Sequence, residues 1–249
     1  MGKALTEKVV LITGAARRVG AAIARRLHSE GASLMLHYRA SERDAQALQS
    51  ELNAQRPASV ALIQADLLDP AGLAEIVKNT MARFERLDAL VNNASTFYPT
   101  PMGEITARHW DDLMGTNLKA PLFLAQAAAA HLRKTAGSIV NISDIHADRP
   151  LKNYIVYSIA KAGLVGLTSS LARELAPEVR VNAVAPGPIL WPEDGSFDAV
   201  GRQRVISHTL LKRTGDPDDV ARAVYYFIAE APYVTGQVLA VDGGRSVNL

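Results

Sequence analysis

Cysteine is absent from all 249 residues. Disulfide scaffolds, thiolate nucleophiles and cysteine-ligated zinc are thereby excluded. Clustered histidine is lacking too. The 6 His are dispersed, with no His-x-x-His or His-Glu-x-x-His spacing, so no metal site is expected. Charge of one sign never accumulates: 27 Lys and Arg stand against 25 Asp and Glu, a net +2, and the densest basic pair is Arg17-Arg18. A nucleic-acid stripe is a poor reading of that pattern, and a small anionic ligand a better one. No apolar run reaches the ~18 residues of a membrane span, and the N-terminal residues lack the apolar core of a signal peptide. Neither nucleic acid nor a membrane is an expected partner, and the cytoplasm is the expected compartment. No Gly/Ser-rich linker and no internal repeat divides the chain, so residues 1–249 are expected to form a single domain.

What is there is alternation. Short apolar runs at 8–13, 33–38, 60–66, 88–95, 137–143, 179–186 and 237–243 read as seven buried strands. Amphipathic stretches at 18–30, 41–54, 70–84, 106–114, 117–133, 154–176 and 217–229 read as the helices between them. Such alternation predicts an α/β fold: a Rossmann-like doubly wound parallel sheet with helices on both faces. Residues 186–215 show no clear period, and a loop of that length is expected to act as a substrate lid.

The first strand runs into "ITGAARRVGAAIARRL". Gly14 permits a sharp turn, Gly20 permits close helix–sheet packing, and the helix N-terminus would face a pyrophosphate. Arg17 and Arg18 add positive charge there. An ordinary β-to-α turn is the competing reading of two glycines. The second strand closes on "LHYRASE" without the acid that binds a ribose 2′-hydroxyl. Arg39 and Ser41 suit a 2′-phosphate instead, which points to NADPH. Glu42 sits where the second helix should begin and complements its dipole. Asp66, closing "QAD", suits an adenine amino group or a plain turn.

"YSIAK" places Tyr157 and Lys161 four apart on one helix face, downstream of a strand end that should open onto the cofactor crevice. A nearby ammonium favours a phenolate, and a nearby carboxylate disfavours it. Asp144, thirteen residues before the tyrosine, brings such a carboxylate; a helix cap is its plainer reading. The three groups should titrate as a set. His146 reads as a surface loop residue. Phe97 and Tyr98 read either as ligand contacts or as packing under the rigid "FYPTP" turn, and Trp191 either lines a pocket or covers the core.

Gly14 and Gly20, "NNAS" (92–95), Asn117, Tyr157-x-x-x-Lys161 and "PGP" (186–188) together resemble the short-chain dehydrogenase/reductase family over nearly the whole chain. The resemblance implies that Tyr157 is the acid–base, that Lys161 holds the nicotinamide ribose and that Asn117 stabilises a water near it. It also places Val19, Tyr38, Leu67, Asn93, Ala94, Pro186 and Gly187 at the cofactor. Two positions depart from the family pattern: Arg18 replaces the middle glycine, and Asp144 replaces a serine. Both departures, with "LHYR", "NNAS-x-FYPTP" and "TGAARRVG", resemble the pteridine reductase subgroup. That resemblance implies that Arg18 and Ser95 contact both cofactor and pterin, that Phe97 stacks on the pterin, and that Asp144 and Tyr157 supply the proton. The expected activity is hydride transfer from NADPH to a C=N bond of a dihydropterin, with oxidised pterin, dihydrofolate or dihydromonapterin as related substrates. The alternatives are a 3-oxoacyl thioester reductase and, in another class, a non-catalytic NADPH-binding regulator. Family likeness also implies a homotetramer, joined through the Tyr157 helix, residues 170–178, and the last strand, 234–244.

Overall fold

The computed structural model describes residues 3–191 and 198–248, so residues 192–197 of the expected lid lie outside the described chain. Seven parallel strands form one sheet in the order β3-β2-β1-β4-β5-β6-β7. These are β1 (Val9–Ile12), β2 (Ser33–Tyr38), β3 (Val60–Gln64), β4 (Ala89–Asn92), β5 (Ser138–Ile142), β6 (Arg180–Pro186) and β7 (Val238–Val241). The expected doubly wound sheet is thus observed. The chain winds outward from β1 to β3, returns to the centre and continues through β4. The switch point between β1 and β4 opens a crevice at the strands' carboxyl ends.

The helices are α1 (Arg18–Ser29), α2 (Glu42–Gln55), α3 (Pro70–Phe84), α4 (Ala107–Met114), α5 (Ala120–Thr135), α6 (Ile155–Leu175), α7 (Ala199–Ser207) and α8 (Pro217–Tyr225). Alternate strand residues feed two cores, as a pleat with period two requires. Val10, Ile12, Leu34, Leu36, Val91 and Val140 pack with α1, α2 and α8. Leu11, Met35, Leu90, Ile139 and Val181 pack with α3, α5 and α6. Each such fully buried side chain contributes about 1.5–3 kcal/mol of apolar transfer.

Local sequence sets the helix starts. Asp69 accepts from Ala71 N–H ahead of Pro70, and Asp216 shares a reciprocal cap with Asp219 ahead of Pro217. Helix α6 is apolar and long enough to cross a bilayer by composition. Here it is a core helix, burying Val156, Tyr157, Ala160, Lys161 and Leu164.

Three differences from the sequence reading have local causes. The stretch 186–215 contains a helix, α7, started by Asp198 accepting from Gly201 N–H. None of its residues is buried, so it carries no hydrophobic period. The helix expected at 117–133 begins instead with a π-type turn at Gly115–Lys119, and that expected at 217–229 ends in another at Tyr226–Glu230. A single widened turn leaves no compositional signal.

Candidate active site

A cleft of about 750 Å³ runs along the carboxyl ends of the strands. Every cofactor, substrate and catalytic candidate named above lines it, except Asn117 and Tyr98. Four segments far apart in sequence carry most of the site, and the ends of β3 and β6 complete it.

The first is the loop from β1 to α1. Gly14 has φ +60°, and a Cβ there would stand 2.8 Å from Ala94 Cα. A Cβ on Gly20 would collide with the Gly14 carbonyl and lie 2.7 Å from Asn93 Nδ2. Only bare backbone fits this cradle. The loop is pinned from β4: Asn93 Nδ2 donates to the carbonyls of Thr13 and Gly14, both at 2.9 Å, and Thr13 Oγ1 accepts from the N–H groups of Asn93 and Ala94. Arg18 has φ +55°, in the left-handed region that favours glycine. The family pattern has glycine at this position, so the backbone kept the glycine conformation while the side chain changed. The Arg18 guanidinium reaches across the cleft to the carbonyls of Leu190 and Trp191 at 3.2–3.3 Å. Arg17 lies 3.7 Å from Asp44 of α2, a half-exposed pair of little energetic weight.

The second segment follows β2. Tyr38, Arg39 and Ser41 line the cleft, and Ser41 occupies the α2 N-cap without bonding the helix through its hydroxyl. An unspent hydroxyl and a guanidinium at a helix start match a 2′-phosphate. Glu42 and Asp44 occupy the first turn of α2, as the dipole reading expects. Asp66 accepts from Leu68 N–H at 3.0 Å, so its turn role is present, and it also borders the cleft.

The third segment joins β4 to α5. Ser95 Oγ donates to Asn117 Oδ1 at 2.6 Å, while Asn117 Nδ2 donates to the carbonyls of Thr96 and Leu113. The described bonds of the Asn117 side chain thus go to the Ser95 loop, not to Lys161. Phe97 stacks on Tyr154 at 4.6 Å and 17°, and meets Tyr157 edge-on at 4.8 Å. It remains 36% exposed, toward the cleft. Tyr98 turns away and donates to Asp112 Oδ2 at 2.9 Å, the packing alternative.

The fourth segment carries the titratable core. Asp144 serves two partners: Oδ1 accepts from His146 N–H at 2.8 Å, and Oδ2 accepts from the Tyr157 hydroxyl at 2.7 Å. Cap and tyrosine partner are therefore one residue. Burial first, then the Asp144 charge and hydrogen bond, push Tyr157 well above the ordinary tyrosine range. Lys161 donates to the Ile142 carbonyl at 2.9 Å, and its ammonium lies 5.7 Å from the Tyr157 ring centre. Burial lowers Lys161 to about 8, with Asp144 pulling the other way. The expected lowering of Tyr157 by Lys161 is not found: the lysine faces a backbone carbonyl, and the carboxylate holds the phenol. Tyr157 is thus kept as a proton donor.

Trp191 lines the cleft, its ring 5.5 Å from the Arg202 guanidinium. Pro186 and Gly187, at the end of β6, complete the far wall. His146, expected as a surface residue, also lines the cleft, because its loop folds inward over the capped turn at Asp144. Sequence reasoning missed His37 and Arg245 as lining residues. A histidine inside an otherwise apolar strand was the available signal for the first; Arg245, near the C-terminus, offered none.

Such a cleft, at the switch point of a doubly wound sheet and holding a buried tyrosine–lysine pair, defines a dinucleotide-dependent oxidoreductase. Comparison with known proteins agrees. Residues 14–246 match a family model described as enoyl-(acyl carrier protein) reductase. Pteridine reductase 1 of Leishmania tarentolae is 38% identical, covering 97% of both chains. The 3-oxoacyl-[acyl-carrier-protein] reductase of Staphylococcus aureus is 35% identical over 95% of this chain and 97% of its own. A blue fluorescent protein from a metagenomic library, solved in complex with NADPH, superposes with a TM-score of 0.91 at 34% identity, covering 97% of this chain and 98% of that one. The chain belongs to the short-chain dehydrogenase/reductase superfamily.

Proposed function

We propose that this protein is an NADPH-dependent pteridine reductase that reduces a C=N bond of a dihydropterin. Oxidised pterin, dihydrofolate and dihydromonapterin are substrates of the same chemical kind. The observation that carries the reading is the 2.7 Å hydrogen bond from the Tyr157 hydroxyl to Asp144.

The bound nicotinamide supplies the hydride. Reduction of C=N places that hydride on carbon and leaves an electron pair on nitrogen, which must take a proton. No oxyanion develops, so a hydroxyl donor at position 144 has no task. A carboxylate there holds Tyr157 protonated and aimed, and after transfer can relay a proton from solvent water back to the phenolate. Phe97 gives a flat bicycle one aromatic face, with its own other face backed by Tyr154. Lys161, charged below about pH 8, is placed to hold a ribose hydroxyl beside Tyr157. Arg39 and Ser41 take the 2′-phosphate, and Arg18 borders both ligands.

Reduction of a 3-oxoacyl thioester is the second reading, since a relative named for that reaction is nearly as similar as the pteridine reductase. It requires a hydrogen-bond donor to a developing oxyanion, and an ionised Asp144 offers only acceptors. The test is NADPH consumption by purified protein with 7,8-dihydrobiopterin, beside an acetoacetyl thioester and a Tyr157→Phe control. Pterin-dependent turnover that vanishes in the control is expected. Turnover on the thioester alone moves the protein to the carbonyl reductases.

A further inference from the structure

His37 lies in the middle of the cofactor wall, and none of the chemistry above uses it. It is 2% exposed, on β2 between the two turns that flank the cofactor's adenosine half. Both ring nitrogens are engaged. Nδ1 accepts from the Gly14 N–H at 3.2 Å, and Nε2 lies 3.1 Å from the Ala65 carbonyl. A carbonyl can only accept and an N–H can only donate, so the neutral tautomer protonated on Nε2 is the one that satisfies both. The imidazole is therefore a strut. One end fixes the glycine turn that approaches the phosphates, and the other fixes the turn that presents Asp66 and Leu67. Backbone bonds run alongside it, Ala15 N–H to the His37 carbonyl and Ala65 N–H to the Tyr38 carbonyl.

We propose that His37 is a positioning residue that sets dinucleotide affinity by tying the glycine turn at Gly14 to the adenosine-side turn at Ala65–Asp66. The inference rests on the NADPH reading and is independent of the pterin one. Preorganised backbone donors bind an anion without the cost of ordering a loop, so loss of the strut should appear in binding before it appears in chemistry. A doubly protonated ring would set an N–H against the Gly14 N–H and break the strut. Burial keeps His37 below its ordinary value and so neutral near pH 7, against the opposing pull of the Ala65 carbonyl and then of Asp66. The other charged groups along this wall of the cleft are Arg17 and Arg18 from the glycine loop and Arg39 beyond the end of its own strand.

The test is calorimetric titration with NADP+ of the wild type, His37→Leu and His37→Asn. The asparagine Oδ1 stands where Nδ1 does and keeps the Gly14 bond, but it cannot be protonated. His37→Leu is expected to weaken NADP+ about tenfold, the worth of one lost hydrogen bond to a buried donor. Its kcat at saturating NADPH should stay within about twofold, whatever the substrate proves to be. His37→Asn keeps the Gly14 bond but cuts the one to Ala65, so it is expected to recover only part of the affinity. On acidification below the ordinary imidazole range, the wild type should lose affinity more steeply than His37→Asn, which shares every other titrating group. Wild-type affinity in a folded His37→Leu, or in His37→Asn, which cuts the tie to Ala65, overturns the proposal. If His37→Leu does not fold, the affinity of His37→Asn, which keeps the buried Gly14 bond, still decides it.

Discussion

Tyr157 and Lys161 are buried beside the half-buried Asp144, and burial, more than the carboxylate, sets how each of the two titrates. Lys161 stands at about 8 in the folded protein against an ordinary 10.5. Between those values the unfolded chain binds the extra proton and the folded chain does not, so this group makes stability rise with pH from about 8 to 10.5. Below 8 the buried ammonium costs the folded state about 3 kcal/mol. Lys161→Met is therefore expected to lose activity yet unfold at higher urea concentration at pH 7.5, an advantage that shrinks at pH 9.5. Tyr157 has the opposite sign: its raised value makes stability fall only above the ordinary tyrosine range near 10, outside the compared span of pH 7.5 to 9.5. Equal pH slopes for wild type and variant would contradict this account of Lys161.

Arg18 illustrates a second residue-scale trade. Its left-handed backbone costs roughly 1 kcal/mol that glycine would avoid. Arg18→Gly should thus leave the thermal midpoint unchanged or slightly raised while weakening ligand binding, because the guanidinium that spans the cleft is gone. A lowered midpoint with unchanged binding would show the side chain to be structural. Both departures from the family pattern, Arg18 and Asp144, are visible in the sequence because they break a spacing. The partner that each side chain chose is not visible, since Leu190 and Trp191 lie more than a hundred residues from Arg18.

Among the elements, strands and caps are the most legible. Residues 33–38 and 70–84 coincide with β2 and α3, where a continuously buried apolar run and an Asp-Pro start leave little freedom. Helix α7 escaped because an exposed helix has no apolar stripe, and the two π-type turns escaped because one extra residue per turn changes no residue type. The second of these turns is held by Arg180 on β6, whose guanidinium donates to the carbonyls of Phe227, Ile228 and Ala231. Those carbonyls end a helix and have no other helical donor. Arg180→Met is expected to cost about 2–3 kcal/mol by taking this donor from the Phe227 and Ile228 carbonyls, while Ala231 keeps the Val234 N–H, read as a lower urea midpoint with kcat unchanged. A loss below about 0.5 kcal/mol would mean that water replaces the guanidinium.

For the whole molecule, the doubly wound order follows from the alternation of strands and helices, and the site falls where that order reverses. Assembly is less legible, because an exposed apolar residue looks like any other in a sequence. Strand β7 is a sheet edge with Val238 and Leu239 exposed, and Leu122, Phe123 and Ile159 are exposed on α5 and α6. An apolar edge and an apolar helix face both favour cover by another chain. Sedimentation is expected to give the tetramer that family likeness implies, and a monomer at micromolar concentration would refute it.

The most direct measurement of the central claim is the exchange Asp144→Ser, assayed for kcat/KM on 7,8-dihydrobiopterin and on an acetoacetyl thioester. If Asp144 holds Tyr157 for protonation of nitrogen, pterin reduction should fall about a hundredfold or more while thioester reduction rises or appears. Pterin reduction that survives the exchange unchanged would make Asp144 a loop cap that happens to touch the tyrosine.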